Sequence, residues 1–194
     1  MLVLASTSPY RKALLERLHI PFEQRAPVCD EEAFKKKVSD PFLLCSQLAI
    51  EKAHSLATPK TITIGSDQVL CLENQIFGKP HHLDKAQSQL HQLSGKKHQL
   101  LTSTAVFKGH QLFHHWVTVA EMHMKFLTPE QIHNYLQLDQ PFDCAGSYKL
   151  EKRGIALFSK IECEDWTSIE GLPLVALSKV LDKLGIIGFS NSNG

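Results

Sequence analysis

The chain has 194 residues, of which 43% are hydrophobic and 21% charged, with a formal net charge of +1. A chain of this length buries enough surface to fold without disulfide or metal staples. The near-neutral balance excludes a broadly polybasic nucleic-acid binder, because duplex affinity depends on neutralising many phosphates. No run reaches the roughly 20 apolar residues of a membrane span, so neither nucleic acid nor membrane is expected as a partner.

Leu2 to Ala5 reads as a buried strand. No basic segment precedes it and hydroxyl residues follow, so a signal peptide is not expected. Ser8 and Pro9 supply the N-cap and first residue of a helix to about His19, with Leu14, Leu15 and Leu18 on its inner face. Phe22 to Val28 reads as a second strand. Asp40-Pro41 opens a second helix by the same device, with a buried stripe of Leu44, Leu48 and Leu56. Thr61 to Gly65 and Val69 to Leu72 read as strands, the latter turning through Glu73-Asn74-Gln75 onto Ile76-Phe77-Gly78. Asp84 is placed as the cap of a helix ending near Gly95. His98 to Phe107 and Leu112 to Val119 form a hairpin about Lys108-Gly109. Thr128-Pro129-Glu130-Gln131 is a capping box opening a helix to about Leu138. Gly154 to Ile161 reads as a strand and Pro173 to Leu184 as a final helix, with Gly185 past its end. Alternating strands and helices with a hairpin predict an α/β fold, a mixed central sheet with flanking helices. One domain is expected over residues 1–194, with a disordered tail at 186–194. Five cysteines, an odd number at wide spacing and without C-x-x-C, point to reduced thiols and a cytoplasmic protein.

Four segments offer chemistry. In Ala5-Ser6-Thr7-Ser8-Pro9-Tyr10-Arg11-Lys12 a strand runs into small hydroxyl residues and then a helix N-terminus. Unpaired N–H groups and the positive helix end suit phosphate, and Arg11 and Lys12 add cations. An ordinary capped helix with two solvated bases fits the same pattern. In Ile64-Gly65-Ser66-Asp67-Gln68-Val69 an acid and an amide interrupt an apolar run. A carboxylate among Ile and Val needs a partner or a metal, or else it lies exposed in an edge turn. Lys79, held between Gly78 and Pro80 just after a short strand, is a weak signal alone, because such a lysine is usually a solvated turn residue. Asp30-Glu31-Glu32 offers hard carboxylate ligands or a solvated loop. Nine of the eleven histidines lie between His81 and His133, but no H-E-x-x-H or H-x-H spacing appears, which favours surface positions over zinc.

Taken together and in order, these segments resemble the Maf family of nucleoside triphosphate pyrophosphatases. The carrying motifs are Leu4-Ala5-Ser6-Thr7-Ser8-Pro9-Tyr10-Arg11, Asp30-Glu31, Glu51-Lys52-Ala53, Gly65-Ser66-Asp67-Gln68, Gly78-Lys79-Pro80, Cys144-Ala145-Gly146-Ser147 and Gly171-Leu172-Pro173-Leu174. The resemblance implies a cytoplasmic, often dimeric protein of the Maf and inosine triphosphate pyrophosphatase-like type, bilobed with an active-site cleft. It implies hydrolysis between the α and β phosphates of a nucleoside triphosphate with a divalent cation, Mg²⁺ or Mn²⁺. Carried over by position, Asp67 is the general base, Lys52 and Lys79 face the phosphates, Ser8 and Arg11 belong to the phosphate loop, and Glu31 joins Asp67 at the metal. Tyr10, Gln68 and Glu151 stand at the positions expected to set base choice, and they resemble the branch acting on 7-methyl-GTP. Tyr10 replaces an expected Trp, Lys12 a frequent Arg, and Ser103 a usual Gly. The rival readings are a dTTP/UTP enzyme of the same family and a non-catalytic nucleotide-binding regulator of cell division.

Overall fold

A computed structural model describes residues 1–188. Its strands are β1 (Leu2–Ala5), β2 (Glu23–Arg25), β3 (Ile62–Leu72), β4 (Gln75–Phe77), β5 (Lys97–Lys108), β6 (Gln111–Met124) and β7 (Phe158–Cys163). Its α-helices are α1 (Pro9–Glu16), α2 (Glu31–Lys37), α3 (Pro41–His54), α4 (Leu83–Leu93), α5 (Pro129–Asp139) and α6 (Leu174–Lys183). The strands form one mixed sheet in the order β2-β1-β3-β5-β6-β7, with β4 paired to β3. β1 runs parallel to both its neighbours, placing Ala5 opposite Arg25 on one side and Gly65 on the other. The chain divides into two compact units, residues 1–68, 102–118 and 165 onward in the first, 69–101 and 119–164 in the second.

The first unit follows from strand alternation. Leu2 and Leu4 of β1, Ile64 of β3 and Val106 of β5 share one core cluster with Leu14 and Leu15 of α1 and Leu177, Val180 and Leu181 of α6. Ala105 and Phe107, one residue out of step with Val106, pack instead with Ala49 and Ala53 of α3. Two helices therefore cover one face of this sheet region and α3 covers the other. Each fully buried leucine contributes about 1.5–3 kcal/mol. Ile186 and Ile187, placed in the expected disordered tail, pack against the first cluster; residues 189–194 lie outside the described residues.

In the second unit α4 packs on α5, and His98, Tyr148 and Phe158 form a buried ring cluster. Gly146 has φ +75°, and a Cβ there would meet Leu70 Cδ1 at 2.3 Å, which accounts for glycine in the Cys-Ala-Gly-Ser segment.

Several sequence expectations are corrected. The first helix stops at Glu16, and the second strand shrinks to three residues. β3 is one strand of 11 residues rather than two, because the polar side chains of 66–68 find partners without breaking the ladder. Asp84 is not the α4 cap; His82 holds that position with no side-chain cap bond, and Asp84 sits in the first turn. Residues 153–157 form a 3-10 turn, so β7 begins only at Phe158. Gly154 lies against the Lys149 backbone, where a Cβ would meet the carbonyl oxygen at 2.3 Å. The helix α2 was unforeseen. No residue of it is buried, so it carries no apolar stripe to read. Among the described residues no helix is long and apolar enough to cross a membrane.

Candidate active site

The turn between β1 and α1 is built from hydroxyls. Ser8 is the N-cap with extended backbone, and its Oγ accepts from Arg11 N at 3.4 Å. Ser8 N in turn donates to Oγ of buried Ser6 at 3.1 Å. Arg11 lies back across this turn, donating from Nε to Gly171 O at 2.9 Å and from a terminal nitrogen to Ser6 Oγ at 3.5 Å. No acidic residue occupies the first turn of α1, so a helix N-terminus and a guanidinium present positive charge together, which suits an anion. Lys12 does not join them; its ammonium pairs with Glu16 one turn on, at 3.7 Å, and both are exposed.

The centre of the unit is a buried ion pair. Asp67 of β3 is 7% exposed and Lys52 of α3 is 5% exposed. Lys52 Nζ donates to Asp67 Oδ1 at 2.6 Å and lies 2.7 Å from Glu31 Oε1. Neither charge could be buried alone without a cost of several kcal/mol. Burial opposes the Lys52 charge, but Asp67 and Glu31 outweigh it and hold the ammonium protonated above its usual range. Burial also raises the Asp67 carboxyl above its ordinary value, against the pull of Lys52 and Arg11. A carboxylate with raised proton affinity is a better proton acceptor. Cys45 Sγ donates to Asp67 O at 3.3 Å, tying the strand backbone to α3.

Glu31 reaches this pair because Asp30 caps α2, accepting from Ala33 N at 3.0 Å, which places Glu31 at the first helical residue. Its side chain is 44% exposed. Gln68, next on β3, donates from Nε2 to Ser168 O at 2.9 Å, Ile169 O at 3.0 Å and Thr102 Oγ1 at 3.0 Å. Tyr10 is half-buried on the first turn of α1. Ser103 is fully buried; its carbonyl accepts from Ser66 Oγ at 2.9 Å, and its hydroxyl meets His115 Nε2 at 3.0 Å.

Ser8, Tyr10, Arg11, Glu31, Lys52, Asp67 and Gln68 thus all belong to the first unit. Lys79 and Glu151 belong to the second. Lys79 is exposed after β4, beside Gly78, whose carbonyl accepts from Gln89 Nε2 at 2.9 Å. Glu151 is exposed in the turn before residues 153–157. Burial pushes the nearby Cys144 thiol up to about 12, which keeps it protonated and unreactive.

Pattern reading alone passed over Lys52. It sits on the buried stripe of α3, in line with Leu44, Cys45, Leu48, Ala49 and Ala53, whereas Leu56, read as part of the stripe, lies beyond the helix end. A lone lysine on such a stripe is a usable signal. Ser66, Asp165 and Gly171, which brace the site, were not singled out as site residues.

Two groups of side chains could hold a cation. Glu31 and Asp67 already converge on one positive atom, Lys52 Nζ, which is the donor chemistry a hard divalent ion takes. In the second unit, Glu121, His123 and Glu162 bring ligand atoms within 4.8 Å of one another. There Lys97 lies 2.5 Å from Glu121 and Lys160 lies 2.7 Å from Glu162, so both carboxylates are already neutralised by lysines.

The family model described as Maf-like protein matches residues 1–184. A 7-methyl-GTP pyrophosphatase of Bdellovibrio bacteriovorus is 45% identical over 185 residues, covering 95% of this chain and 97% of that one. Proteins of the same name from Pseudoalteromonas atlantica and Colwellia psychrerythraea are 43% and 42% identical, covering 98% and 95% of this chain and 98% and 93% of their own. A solved structure titled as a HAM1 protein from Coxiella burnetii aligns with 94% of this chain and 98% of that chain, at a TM-score of 0.48 and 16% identity.

Proposed function

This chain belongs to the Maf-like protein family, and from that premise we propose that it is a nucleoside triphosphate pyrophosphatase acting on 7-methyl-GTP. The observation that carries the reaction class is the buried Lys52–Asp67 pair with Glu31, in the same unit as the Ser8–Arg11 turn. The names of its relatives carry the substrate.

In this reading the Ser8–Arg11 turn binds phosphate through its N–H groups and guanidinium. Asp67 orients a water and takes its proton as the water oxygen bonds to the α-phosphorus. The bond from that phosphorus to the bridging oxygen breaks, giving 7-methyl-GMP and pyrophosphate. Lys52 holds the Asp67 carboxylate in place and, with Arg11, offsets charge gathering on the departing pyrophosphate. Glu31 and Asp67 would hold a Mg²⁺ or Mn²⁺ ion, which when bound supplies charge neutralisation and a more acidic water. Methylation at N7 makes guanine cationic, so the Tyr10 ring attracts its face. The same reading extends to a cytoplasmic homodimer, tested by light scattering and cell fractionation.

Pyrophosphate release from 7-methyl-GTP, GTP, dTTP, UTP and CTP, with Mg²⁺, with Mn²⁺ and without metal, tests the proposal. Release should need metal, be fastest on 7-methyl-GTP, and fall about 10²–10⁴-fold in Asp67→Asn. Full activity in that variant would remove Asp67 as the base. Fastest release from dTTP or UTP would overturn the substrate, and nucleotide binding without release would overturn the enzyme.

A further inference from the structure

α6 begins without a cap of its own. Pro173 holds the cap position and has no side-chain acceptor. Its first N–H groups are met instead from ten residues upstream. Asp165 is 5% exposed. Its Oδ2 accepts from Val175 N at 2.7 Å and Ala176 N at 3.4 Å. Its Oδ1 accepts from Thr167 N at 3.1 Å and Thr167 Oγ1 at 2.6 Å. With its hydrogen directed at Asp165, the Thr167 hydroxyl oxygen accepts from Leu174 N at 2.7 Å. One carboxylate and one hydroxyl therefore cross-brace the chain from 165 to 176.

The braced segment turns its carbonyls on the site. Ser168 O accepts from Gln68 Nε2 and from Thr102 Oγ1 at 2.8 Å, and Ile169 O accepts from Gln68 Nε2 again. Gly171 O accepts from Arg11 Nε and from Ser66 Oγ at 3.0 Å. Gly171 has φ +110°, open to glycine, and a Cβ there would meet Arg11 Nε at 3.3 Å. Carbonyl oxygens only accept. The Gln68 amide must therefore turn its NH₂ to Ser168 and Ile169, because flipping it would set oxygen against oxygen. What Gln68 has left to offer a ligand is Oε1, an acceptor.

We propose that Asp165 is a positioning residue for substrate recognition: through Thr167 and the first turn of α6 it holds the Ser168, Ile169 and Gly171 carbonyls that lock Gln68 as an acceptor and aim Arg11. The part that concerns nucleotides rests on the function proposed above. An amide free to turn reads donors and acceptors alike. One locked as an acceptor reads donors only, such as the N1–H and amine of guanine.

Asp165→Asn places a donor against the N–H groups of α6 or of Thr167, so the brace fails on one side. Its preference for 7-methyl-GTP over CTP, as a ratio of kcat/KM, should fall about tenfold, the scale of one misplaced hydrogen bond. Leu177→Ala, a cavity in the same core, should lower Tm and leave the ratio alone. Thr167→Val should behave as Asp165→Asn does, and Thr167→Ser should restore the wild-type ratio; this pair carries the test if Asp165→Asn does not fold. A second readout needs no turnover. The Gln68 side-chain NH₂ signals, assigned in ¹⁵N spectra by their loss in Gln68→Met, should be slow to exchange in the wild type and fast in Asp165→Asn. Unchanged NH₂ exchange would overturn the brace, even in a fully active enzyme. Faster exchange with a preference ratio like that of Leu177→Ala would overturn the recognition role. Faster exchange in a protein that hydrolyses no nucleotide would uphold the brace and overturn the proposed function.

Discussion

Lys52 and Asp67 are not equivalent halves of their pair, and substitution exposes the difference. Lys52 has two carboxylates within 2.7 Å, whereas Asp67, among the described residues, has Lys52 alone as its charged hydrogen-bond partner. Asp67→Asn leaves Lys52 facing Glu31, and an amide oxygen still accepts from the ammonium, so the cost is about 1 kcal/mol. Lys52→Met leaves the Asp67 carboxylate buried without compensation, a loss of about 3–5 kcal/mol at neutral pH. Glu31, nearly half exposed, turns to water and adds little. Lys52→Met/Asp67→Leu removes both charges and should regain most of the loss, because an apolar pair of similar volume needs no partner.

The pH dependence of the single variant follows from the same burial. Burial already holds the Asp67 carboxyl above its usual value, and without Lys52 the larger opposing pull is gone, leaving only that of Arg11. A carboxyl whose folded-state pKa exceeds its unfolded value contributes stability that is full below the unfolded value and lost as pH rises through the folded one. Lys52, held protonated above its usual range, does not titrate in this window in the wild type. The deficit of Lys52→Met should therefore narrow as pH falls from 7.5 to 5, by up to about 1.36 kcal/mol per pH unit below the raised value. Guanidinium melts of wild type and the three variants at both pH values measure this. A deficit that does not change with pH, or one no larger than that of Asp67→Asn, would refute the reasoning.

Three further outcomes are expected. Gly65→Ala should cost at least about 3 kcal/mol, the upper end of overpacking, because the new Cβ would meet Ala49 O at 2.3 Å and Ala53 N at 2.5 Å; thermal melts check it. His98, buried with Nδ1 unpartnered and its pKa pushed down to about 4 from 6.5 chiefly by burial, stays neutral in the fold. Stability should therefore drain away as pH falls between those values, by about 3 kcal/mol, and His98→Phe should lose that slope in melts at pH 7 and 4. Thr128→Ala breaks one half of a capping box in which Gln131 N donates to Thr128 Oγ1 at 3.2 Å and Thr128 N donates to Gln131 Oε1 at 2.9 Å. It should cost about 1 kcal/mol, seen as a lower urea midpoint at unchanged slope.

What was legible in the sequence is what short-range chemistry decides. Ser8-Pro9, Asp40-Pro41 and Thr128-Pro129 all start helices where the caps said, because a cap and a fixed φ act within one turn. α2 escaped because it buries nothing, although Asp30 at its cap, acids in its first turn and Lys35, Lys36 and Lys37 in its last spell out a helix aligned with its dipole. Ser66, Asp67 and Gln68 seemed to interrupt a strand because their partners come from residues 52, 102, 103, 168, 169 and 171, and no local window contains them. Glu151 and the phosphate role of Lys79 rest on resemblance alone, and the exposure of both side chains gives physical reasoning little to hold.

The centre of the site was nonetheless implied by two anomalies that each demand the other. A lysine on the apolar stripe of α3 and an aspartate inside the apolar run of β3 are each untenable alone in a protein interior. Together they require that helix and strand lie against each other at that level. Gly65 supplies the means. It shares a strand face with Asp67, and it lies against Ala49, three residues before Lys52 on the helix, and Ala53, the residue that follows it. With no Cβ at 65 the helix backbone closes onto the strand, and small alanines keep it there, bringing Lys52 Nζ within 2.6 Å of Asp67 Oδ1. Gly65, Lys52 and Asp67 act as one device, in which a missing side chain sets the distance across which two charges neutralise each other. Any substitution that props α3 away from β3 should therefore weaken the ion pair as well as the packing, and the proton affinity of Asp67 should climb with it.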